Sequence, residues 1–270
     1  MKIGVNTYPY LWKTSLPDAF RSIRAMGITE VEILASPPQL WPRALKVEER
    51  LEIQRTMEET GIRLVALNPP GQDINMASPH PDMRAYTVDI YKQLIDLAFD
   101  WKAPFIVMPP GRLHPLLPPD FEWVWKQCKP DFLRLIDYAE RHGVTLLLEN
   151  IPSLFLQTAE EIAWAIDDLG SNRIGAIYDV ANGFMSEDPA KGIAILREKI
   201  KLVHLSDTTR RKWEHNKIGD GDVDFFSVYK ALREIEYEGA CLLEIIHPDA
   251  TEGIESSIET LKAIGWDVHV

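Results

Sequence analysis

Several kinds of residue are scarce in this sequence of 270 residues, and each scarcity excludes a class of protein. The two cysteines, Cys128 and Cys241, lie far apart, which excludes a disulfide framework or a cysteine-rich metal site. No run of about 18 apolar residues could cross a membrane, and the N-terminal stretch MKIGVNTYPY lacks a long apolar segment with a cleavage site. We therefore expect a cytoplasmic protein with two buried free thiols.

Basic residues are also few, since 29 lysines and arginines stand against 41 aspartates and glutamates, giving a net charge of −12. Such a surface repels a phosphate backbone, whereas nucleic-acid-binding proteins usually carry a basic stripe. The run Arg210–Lys212 is only a short basic patch. We therefore expect neither nucleic acid nor a membrane as a partner, and a homo-oligomer is compatible with these features.

Short apolar segments alternate with longer amphipathic segments along the whole chain. Several, such as VTLLLEN, are nearly continuous apolar runs, which are typical of parallel strands covered on both faces. The predicted strands are Lys2–Asn6, Glu30–Leu34, Arg63–Leu67, Pro104–Met108, Val144–Asn150, Ile174–Asp179, Leu202–Asp207 and Ala240–Ile246. The predicted helices are Leu16–Met26, Val47–Thr60, Asp82–Phe99, Glu122–His142, Ala159–Leu169, Pro189–Lys199, Phe225–Ile235 and Ile254–Ile264.

The spacing of these segments predicts the fold. From Asn6 to Glu244 there are seven strand-to-strand steps over 238 residues, or 34 residues per step, which fits a repeated strand–helix unit. The chain is close to the ~250 residues of one (β/α)₈ barrel. The sequence therefore predicts an α/β protein whose residues 1–270 form one TIM-barrel domain with a closed, eight-stranded parallel sheet. The long connections Asn68–Pro81 and Pro109–Phe121 would lie on its C-terminal face, where the active site of such a barrel forms.

Side chains that can bind a metal stand at or near the ends of the fifth to eighth predicted strands. They are Glu149, Asp179, His204 and Glu244. A charged group in an apolar strand is costly unless it is paired or bound to a metal, and neighbouring carboxylates do not all stay ionised without a cation. Each residue alone would fit a salt bridge or a core position, but four on consecutive strands favour one divalent metal ion. This mixture of oxygen and nitrogen ligands suits Mn²⁺, Mg²⁺, Co²⁺ or Zn²⁺.

Such a centre could support several reactions. A cation bound to a carbonyl and a neighbouring hydroxyl stabilises an enediolate, and a nearby carboxylate can take the proton. Return of the proton by a second carboxylate on the opposite face gives epimerisation, transfer to the next carbon gives isomerisation, and loss of a β-hydroxyl gives dehydration. A metal-dependent phosphoesterase or endonuclease-like hydrolase is a weaker alternative because the chain is acidic. A barrel that only binds a sugar or metal would not need paired carboxylates.

The segments LLLEN, YDVANGFMSEDP, VHLSDTTR and LLEI resemble the xylose-isomerase-like barrel family of sugar isomerases and epimerases. The resemblance covers nearly the whole chain and is strongest from Glu149 onward. It implies that Glu149, Asp179, His204 and Glu244 hold one divalent metal ion. It also implies that Glu149 and Glu244 act as acid and base on opposite faces of a sugar carbon, and that Arg210 contacts a substrate hydroxyl.

Some positions depart from the pattern of that family. Asn182 stands where its ketose 3-epimerases carry a substrate-binding histidine, and Phe155 stands where they carry a second glutamate. Asn68 and Pro109 or Pro110 stand where the related apurinic endonucleases carry histidines for further metal ions. The latter difference indicates a single metal ion.

Polar residues in the loops of the same face are further candidates for substrate binding. They are Asn68, Arg112, His114, Asn182 and His215. Arg112 and His114 follow the fourth strand and could bind a carboxylate or phosphate, although solvated loop residues of these types are equally common. The sequence thus predicts a metal-dependent isomerase or epimerase of a small polyhydroxy carbonyl compound, a sugar or polyol ketone. The alternative is an inosose-type dehydratase with the same metal site.

Overall fold

Eight parallel strands close into a barrel in the computed structural model, which describes residues 1–71 and 73–270. Gln72, in the predicted connection Asn68–Pro81, lies outside the described residues. The barrel strands are β1 (Lys2–Asn6), β2 (Glu30–Leu34), β3 (Arg63–Asn68), β4 (Phe105–Met108), β5 (Thr145–Glu149), β6 (Ile174–Asp179), β7 (Ile200–Leu205) and β10 (Ala240–Leu243). Two further strands are β8 (Asp207–Thr209) and β9 (Lys212–Asn216). Strand β10 pairs with β7 and β1 and so closes the ring, while β8 and β9 form a separate antiparallel hairpin.

Helices follow the strands and cover the outside of the barrel. Those of the described residues are α1 (Leu16–Ala25), α2 (Val47–Thr60), α3 (Pro81–Asp100), α4 (Phe121–His142), α5 (Ala159–Leu169), α6 (Val180–Ser186), α7 (Pro189–Leu196), α8 (Phe225–Glu234) and α9 (Ala250–Ala263). Side chains of Ser15, Asp120 and Thr158 cap the N-termini of α1, α4 and α5. Gly61 and Gly143 end α2 and α4 in the left-handed conformation that glycine favours. The predicted (β/α)₈ fold is confirmed.

The structure corrects several predicted boundaries near the C-terminal face. The last barrel strand ends at Leu243 rather than Ile246, because the chain leaves the barrel and Ile246 N donates to His215 O at 2.6 Å. The seventh ends at Leu205, and Asp207 begins the hairpin β8–β9, which the sequence did not predict. The short helix α6 was also missed, and α9 begins at Ala250 rather than Ile254.

An apolar layer fills the interior of the barrel beneath its C-terminal end. Its buried members include Leu147, Ile177, Leu202 and Leu242. Each of these residues stands two positions before one of the four predicted metal ligands. Because side chains alternate between the two faces of a strand, a residue two positions further along points to the same side. The ligand side chains are therefore directed into the barrel, above a dry layer.

The sequence predicted two buried free thiols and no membrane-crossing segment. Cys128 and Cys241 are buried free thiols, and burial raises the pKa of each to about 12, so both stay protonated at neutral pH. In the part of the chain that the structure describes, no helix has the length and apolar character needed to cross a membrane.

Candidate metal centre and substrate cleft

Glu149, Asp179, His204 and Glu244 come together at the C-terminal end of the barrel, each offering a ligand atom within 4.8 Å of the others. All four side chains are buried. His204 Nδ1 lies 3.4 Å from Glu149 Oε1, 3.4 Å from Glu244 Oε2 and 3.7 Å from Asp179 Oδ2. This group could hold one metal ion.

The hydrogen bonds of the cluster leave the ligand atoms free to bind a cation. Among the described residues, Asp179 Oδ2 and His204 Nδ1 are buried without a hydrogen-bond partner. The other atom of each group is engaged, since Asp179 Oδ1 accepts from Asn182 N at 2.6 Å and His204 Nε2 lies 2.9 Å from Glu32 Oε1. A buried polar atom without a partner costs about 1–3 kcal/mol. These two unpartnered atoms, together with the nearby carboxylates of Glu149 and Glu244, fit a divalent cation.

The charges of the cluster also favour a cation. Burial raises the pKa of Glu149, and burial together with Glu149 and Asp179 raises the pKa of Glu244 well above its ordinary value, although His204 opposes both shifts. Burial would lower the pKa of His204, but attraction by Glu244 and Glu32 outweighs it and raises that pKa well above the ordinary value. Without a metal the site therefore holds its protons up to a higher pH than isolated side chains do, and the ligands must lose them to bind an ion.

A fourth acidic residue, Glu32, lies behind His204 and was missed in the sequence. It is fully buried on β2. Its Oε1 accepts hydrogen bonds from Asn6 Nδ2 at 2.5 Å and Asn68 Nδ2 at 3.0 Å, besides its contact with His204. The same two amides donate to Glu244 Oε1 at 2.9 and 3.2 Å. These bonds orient two of the candidate ligands and connect them to β1, β2 and β3.

The available signal for Glu32 was a glutamate inside the apolar strand EVEIL. Glu30 gives the same signal, yet it lies toward the opposite end of β2 and pairs with Arg63 and Lys2. The sequence alone does not separate these two glutamates, because the difference depends on what each meets across the barrel.

Glu32→Gln is expected to weaken divalent-metal binding by about 10–100-fold, as is common for partners that orient a ligating histidine. Glutamine keeps the shape but loses the negative charge that stabilises an Nε2–H tautomer and directs Nδ1 at the metal. Isothermal titration with Mn²⁺ would measure this loss. Glu30→Gln is the matched control, because it alters a buried glutamate of the same strand away from the cluster. Equal metal affinity of wild type and Glu32→Gln would contradict the assignment.

A cleft of about 440 Å³ opens above the cluster and is lined by Glu149 and Glu244. Four of the predicted substrate-binding residues also line it, namely Asn68, Arg112, Asn182 and His215. His215, on β9, places Nδ1 3.5 Å from Glu244 Oε2 and 3.0 Å from Ser206 Oγ. Trp213, on the same strand, was missed in the sequence and donates from Nε1 to Asn182 Oδ1 at 2.8 Å. The hairpin therefore supplies one wall of the cleft.

The family of the chain follows from its sequence match. The profile of the xylose isomerase-like TIM barrel family matches residues 20–264. The chain belongs to this family. Fructoselysine 3-epimerase of Escherichia coli O157:H7 is 22% identical over 252 residues, which are 91% of this chain and 90% of that protein.

Two further similarities concern a curated relative and a solved structure. The inosose dehydratase of Clostridium perfringens (strain 13) is 26% identical over 159 residues, which are 52% of this chain and 54% of that protein. A crystal structure of a D-tagatose 3-epimerase-like protein has a TM-score of 0.85 at 23% identity and covers 98% of this chain and 97% of its own. The solved structure supports the fold, and the similarity to fructoselysine 3-epimerase supports an isomerase or epimerase enzyme.

Two predicted substrate-binding residues of this xylose isomerase-like barrel do not line the cleft in the structure. The guanidinium of Arg210 stacks 4.0 Å from the Phe184 ring, and its Nη2 donates to Glu187 O at 3.2 Å. His114 is exposed, and its Nδ1 accepts from the backbone N–H groups of Leu116 and Leu117. Distance along the sequence from a strand does not determine where a long or loop side chain points.

Phe155 and Asn182, the two positions that differ from the ketose 3-epimerase pattern, have defined surroundings in the structure. Phe155 is buried and packs on Phe121, with ring centroids 4.8 Å apart, so an apolar aromatic cluster occupies the place of a second glutamate. Asn182 lies in the first turn of α6, three residues after Asp179, and places its Nδ2 3.5 Å from Glu149 Oε1. Its amide therefore connects the candidate ligand on β5 to Trp213 of the hairpin.

Proposed function

We propose that the protein is a divalent-metal-dependent epimerase of a ketose or a related polyhydroxy carbonyl compound. The observation that carries the proposal is the pair of buried glutamates, Glu149 and Glu244, each 3.4 Å from His204 Nδ1 and each lining the cleft. Strands β6 and β7 separate β5 from β10 in the ring, so the two carboxylates approach a bound substrate from different directions. Similarity to a 3-epimerase over nine-tenths of the chain supports this assignment.

The residues that would hold the metal are Glu149, Asp179, His204 and Glu244. When bound, a divalent cation supplies Lewis-acid polarisation of the substrate carbonyl. The mixed oxygen and nitrogen donors fit Mn²⁺, Mg²⁺, Co²⁺ or Zn²⁺. The substrate oxygens would enter from the cleft, the side on which Glu149 and Glu244 are accessible.

The two glutamates would carry out the proton transfers. One of them, ionised, takes the proton from the carbon next to the carbonyl, and the electron pair of the broken C–H bond moves toward the carbonyl. The other, protonated, delivers its proton to the opposite face of the same carbon, which inverts its configuration. In the metal-free site, burial raises the pKa of both Glu149 and Glu244.

A second candidate is a dehydratase of a cyclic polyol ketone that uses the same residues. The similarity to an inosose dehydratase over half the chain favours it. The replacement of a histidine and a glutamate of the ketose 3-epimerases by Asn182 and Phe155 favours it as well. In this reaction one glutamate would remove the proton and the other would protonate the departing β-hydroxyl as water.

Incubation of the Mn²⁺-loaded protein in D₂O with a panel of ketoses and inososes would separate the candidates. For an epimerase we expect deuterium at a single carbon next to the carbonyl together with a second diastereomer, both visible by NMR. A dehydratase would instead give a product lacking one hydroxyl group. His204→Ala is the control that should show neither. Hydrolysis of a phosphodiester by the same protein, with no exchange into any sugar, would contradict both proposals.

A further inference from the structure

The cleft above the metal centre has two parts of different chemistry. Polar side chains of Asn68, Asn182 and His215 lie near Glu149 and Glu244, where the strands end. A second wall consists of described residues from the loops that follow β3, β4 and β5, and most of their side chains are apolar. This wall contains five prolines and Leu113, Ile151 and Leu154.

The proline-rich wall is poorly suited to a free sugar. Proline has no backbone N–H, so Pro69, Pro70, Pro109, Pro115 and Pro152 offer hydroxyl groups no donor. A hydroxyl buried without a hydrogen-bond partner is unfavourable, whereas burial of an apolar chain is favourable. The wall therefore fits an apolar part of a ligand that extends outward from the polar end.

Arg112 is the single lysine or arginine among the described residues that line the cleft. Its backbone is fixed, because its N–H donates to Asn75 Oδ1 at 2.8 Å and its carbonyl accepts from Asn75 Nδ2 at 3.0 Å. The preceding Gly111 has a φ of 109° and accepts from Phe155 N at 2.9 Å. Within the described part of the chain, the guanidinium makes no hydrogen bond or ion pair, although aspartates and glutamates are plentiful. An exposed arginine with a fixed backbone and an unpaired guanidinium beside an apolar wall suits an anion.

We infer that the substrate is a ketose that carries a substituent, an apolar chain ending in an anion, rather than a free monosaccharide. The inference rests on the proposed function, because it specifies the substrate class of that same site. The ketose would lie between Glu149 and Glu244, the chain would follow the proline-rich wall, and the terminal carboxylate or phosphate would contact Arg112.

Calorimetric titration of the Mn²⁺-loaded protein with a matched set of ligands tests this inference. The set consists of D-fructose, fructose bearing a hexyl chain, and fructose bearing a hexyl chain that ends in a carboxylate or a phosphate. Each chain is attached in turn at either end of the sugar. We expect the hexyl conjugate to bind about 10-fold more tightly than fructose, because part of the chain is buried. The anion that the site prefers should increase the affinity by a further ~10-fold through its charge-assisted hydrogen bonds. Comparison of the two anionic arms identifies which anion is preferred.

Two arginine variants isolate the contribution of the anion. Arg112→Gln should remove the gain from the anion and keep the gain from the hexyl chain. Arg55→Gln is the matched control, because Arg55 is an exposed arginine of α2 outside the cleft, and it should keep both gains. Equal affinities for fructose and all conjugates would overturn the inference, and so would an anion gain that persists in Arg112→Gln.

Isotope exchange in D₂O on the same samples distinguishes this inference from the proposed function. Tighter binding of the anionic conjugates without exchange at any carbon would support the substituent site and contradict the epimerase. Exchange into fructose with no gain in affinity for any conjugate would support the epimerase and overturn the substituent site.

Discussion

Glu244→Gln is expected to lower turnover of the metal-loaded protein by about 10²–10⁴-fold, the usual effect of losing a general acid or base. Glutamine keeps the shape of the side chain and one carbonyl oxygen, which still accepts from Asn6 and Asn68 as Glu244 Oε1 does. The fold and most of the metal affinity should therefore remain. What is lost is the group that accepts or donates a proton on one side of the substrate.

The mirror variant, Glu149→Gln, decides between one base and two. If each glutamate serves one face of the carbon, both variants should stop net conversion, and the surviving glutamate should still exchange its own substrate proton with D₂O. If a single base operates, one variant should lose exchange while the other turns over almost normally. Glu255→Gln, an exposed glutamate of α9, is the control for the substitution itself. Near-normal turnover in both site variants would exclude proton transfer by either glutamate.

Removal of the divalent metal by a chelator is expected to abolish turnover and to lower the melting temperature, most strongly at high pH. A ligand that binds only the folded state stabilises it, by about 2.7 kcal/mol at 100 times its Kd. The unfolded chain has no comparable site, because three ligands come from three separate strands and Glu244 directly follows a fourth. Melting curves with and without Mn²⁺ would measure the difference.

The direction of the pH effect follows from the protons that the metal-free site retains. The folded state raises the pKa of Glu244 above the ordinary 4.5, chiefly by burial, so unfolding releases a proton once the pH exceeds that value. The net pKa of His204 is also raised, because its acidic neighbours outweigh burial. Stability from both groups is complete at low pH and is lost as the pH rises through the folded pKa values. Each proton contributes at most about 1.4 kcal/mol per pH unit.

Metal binding has the opposite pH dependence, because the ligands bind only after losing their protons. The gap in melting temperature between loaded and metal-free protein should therefore widen between about pH 5 and 8. His204→Ala should lose most of the gap at every pH. Metal-free Glu244→Gln should show a flatter decline with pH than metal-free wild type. A gap that does not change with pH would contradict the protonated, metal-free site.

The sequence was sufficient to predict the fold and the closeness of the four candidate ligands, because both depend on local periodicity. Segments such as TLLLE and IGAIYD are continuously apolar up to a terminal acid, and alternation along a strand then places that acid inside the barrel. The metal and proton-transfer roles of these residues stay predictions, as does the absence of nucleic acid as a partner. The experiments above address the roles directly.

Features that depend on contacts across the barrel could not be predicted. Glu32 and His204 are 172 positions apart, and nothing near either residue in the sequence indicates that they meet. The hairpin strand KWEHN is short and polar and resembles a loop, so Trp213 gave no signal. The side chain of Arg210 stacks on Phe184 of α6. The distance along the sequence from His204 to Arg210 does not reveal this contact.

The two halves of the chain contribute to the metal centre in different ways, and this has a consequence for biosynthesis. Strands β1, β2 and β3 carry Asn6, Glu32 and Asn68, which orient ligands, whereas the ligands themselves come from β5 onward. The hydrogen bond from Asn6 to Glu244 spans 238 positions, so it forms only after the ribosome has synthesised nearly the whole chain. The complete, oriented ligand set exists only when β10 has paired with β1. We therefore expect a metal to bind only after synthesis of the strands is complete, because neither half of the chain on its own contains the full candidate centre.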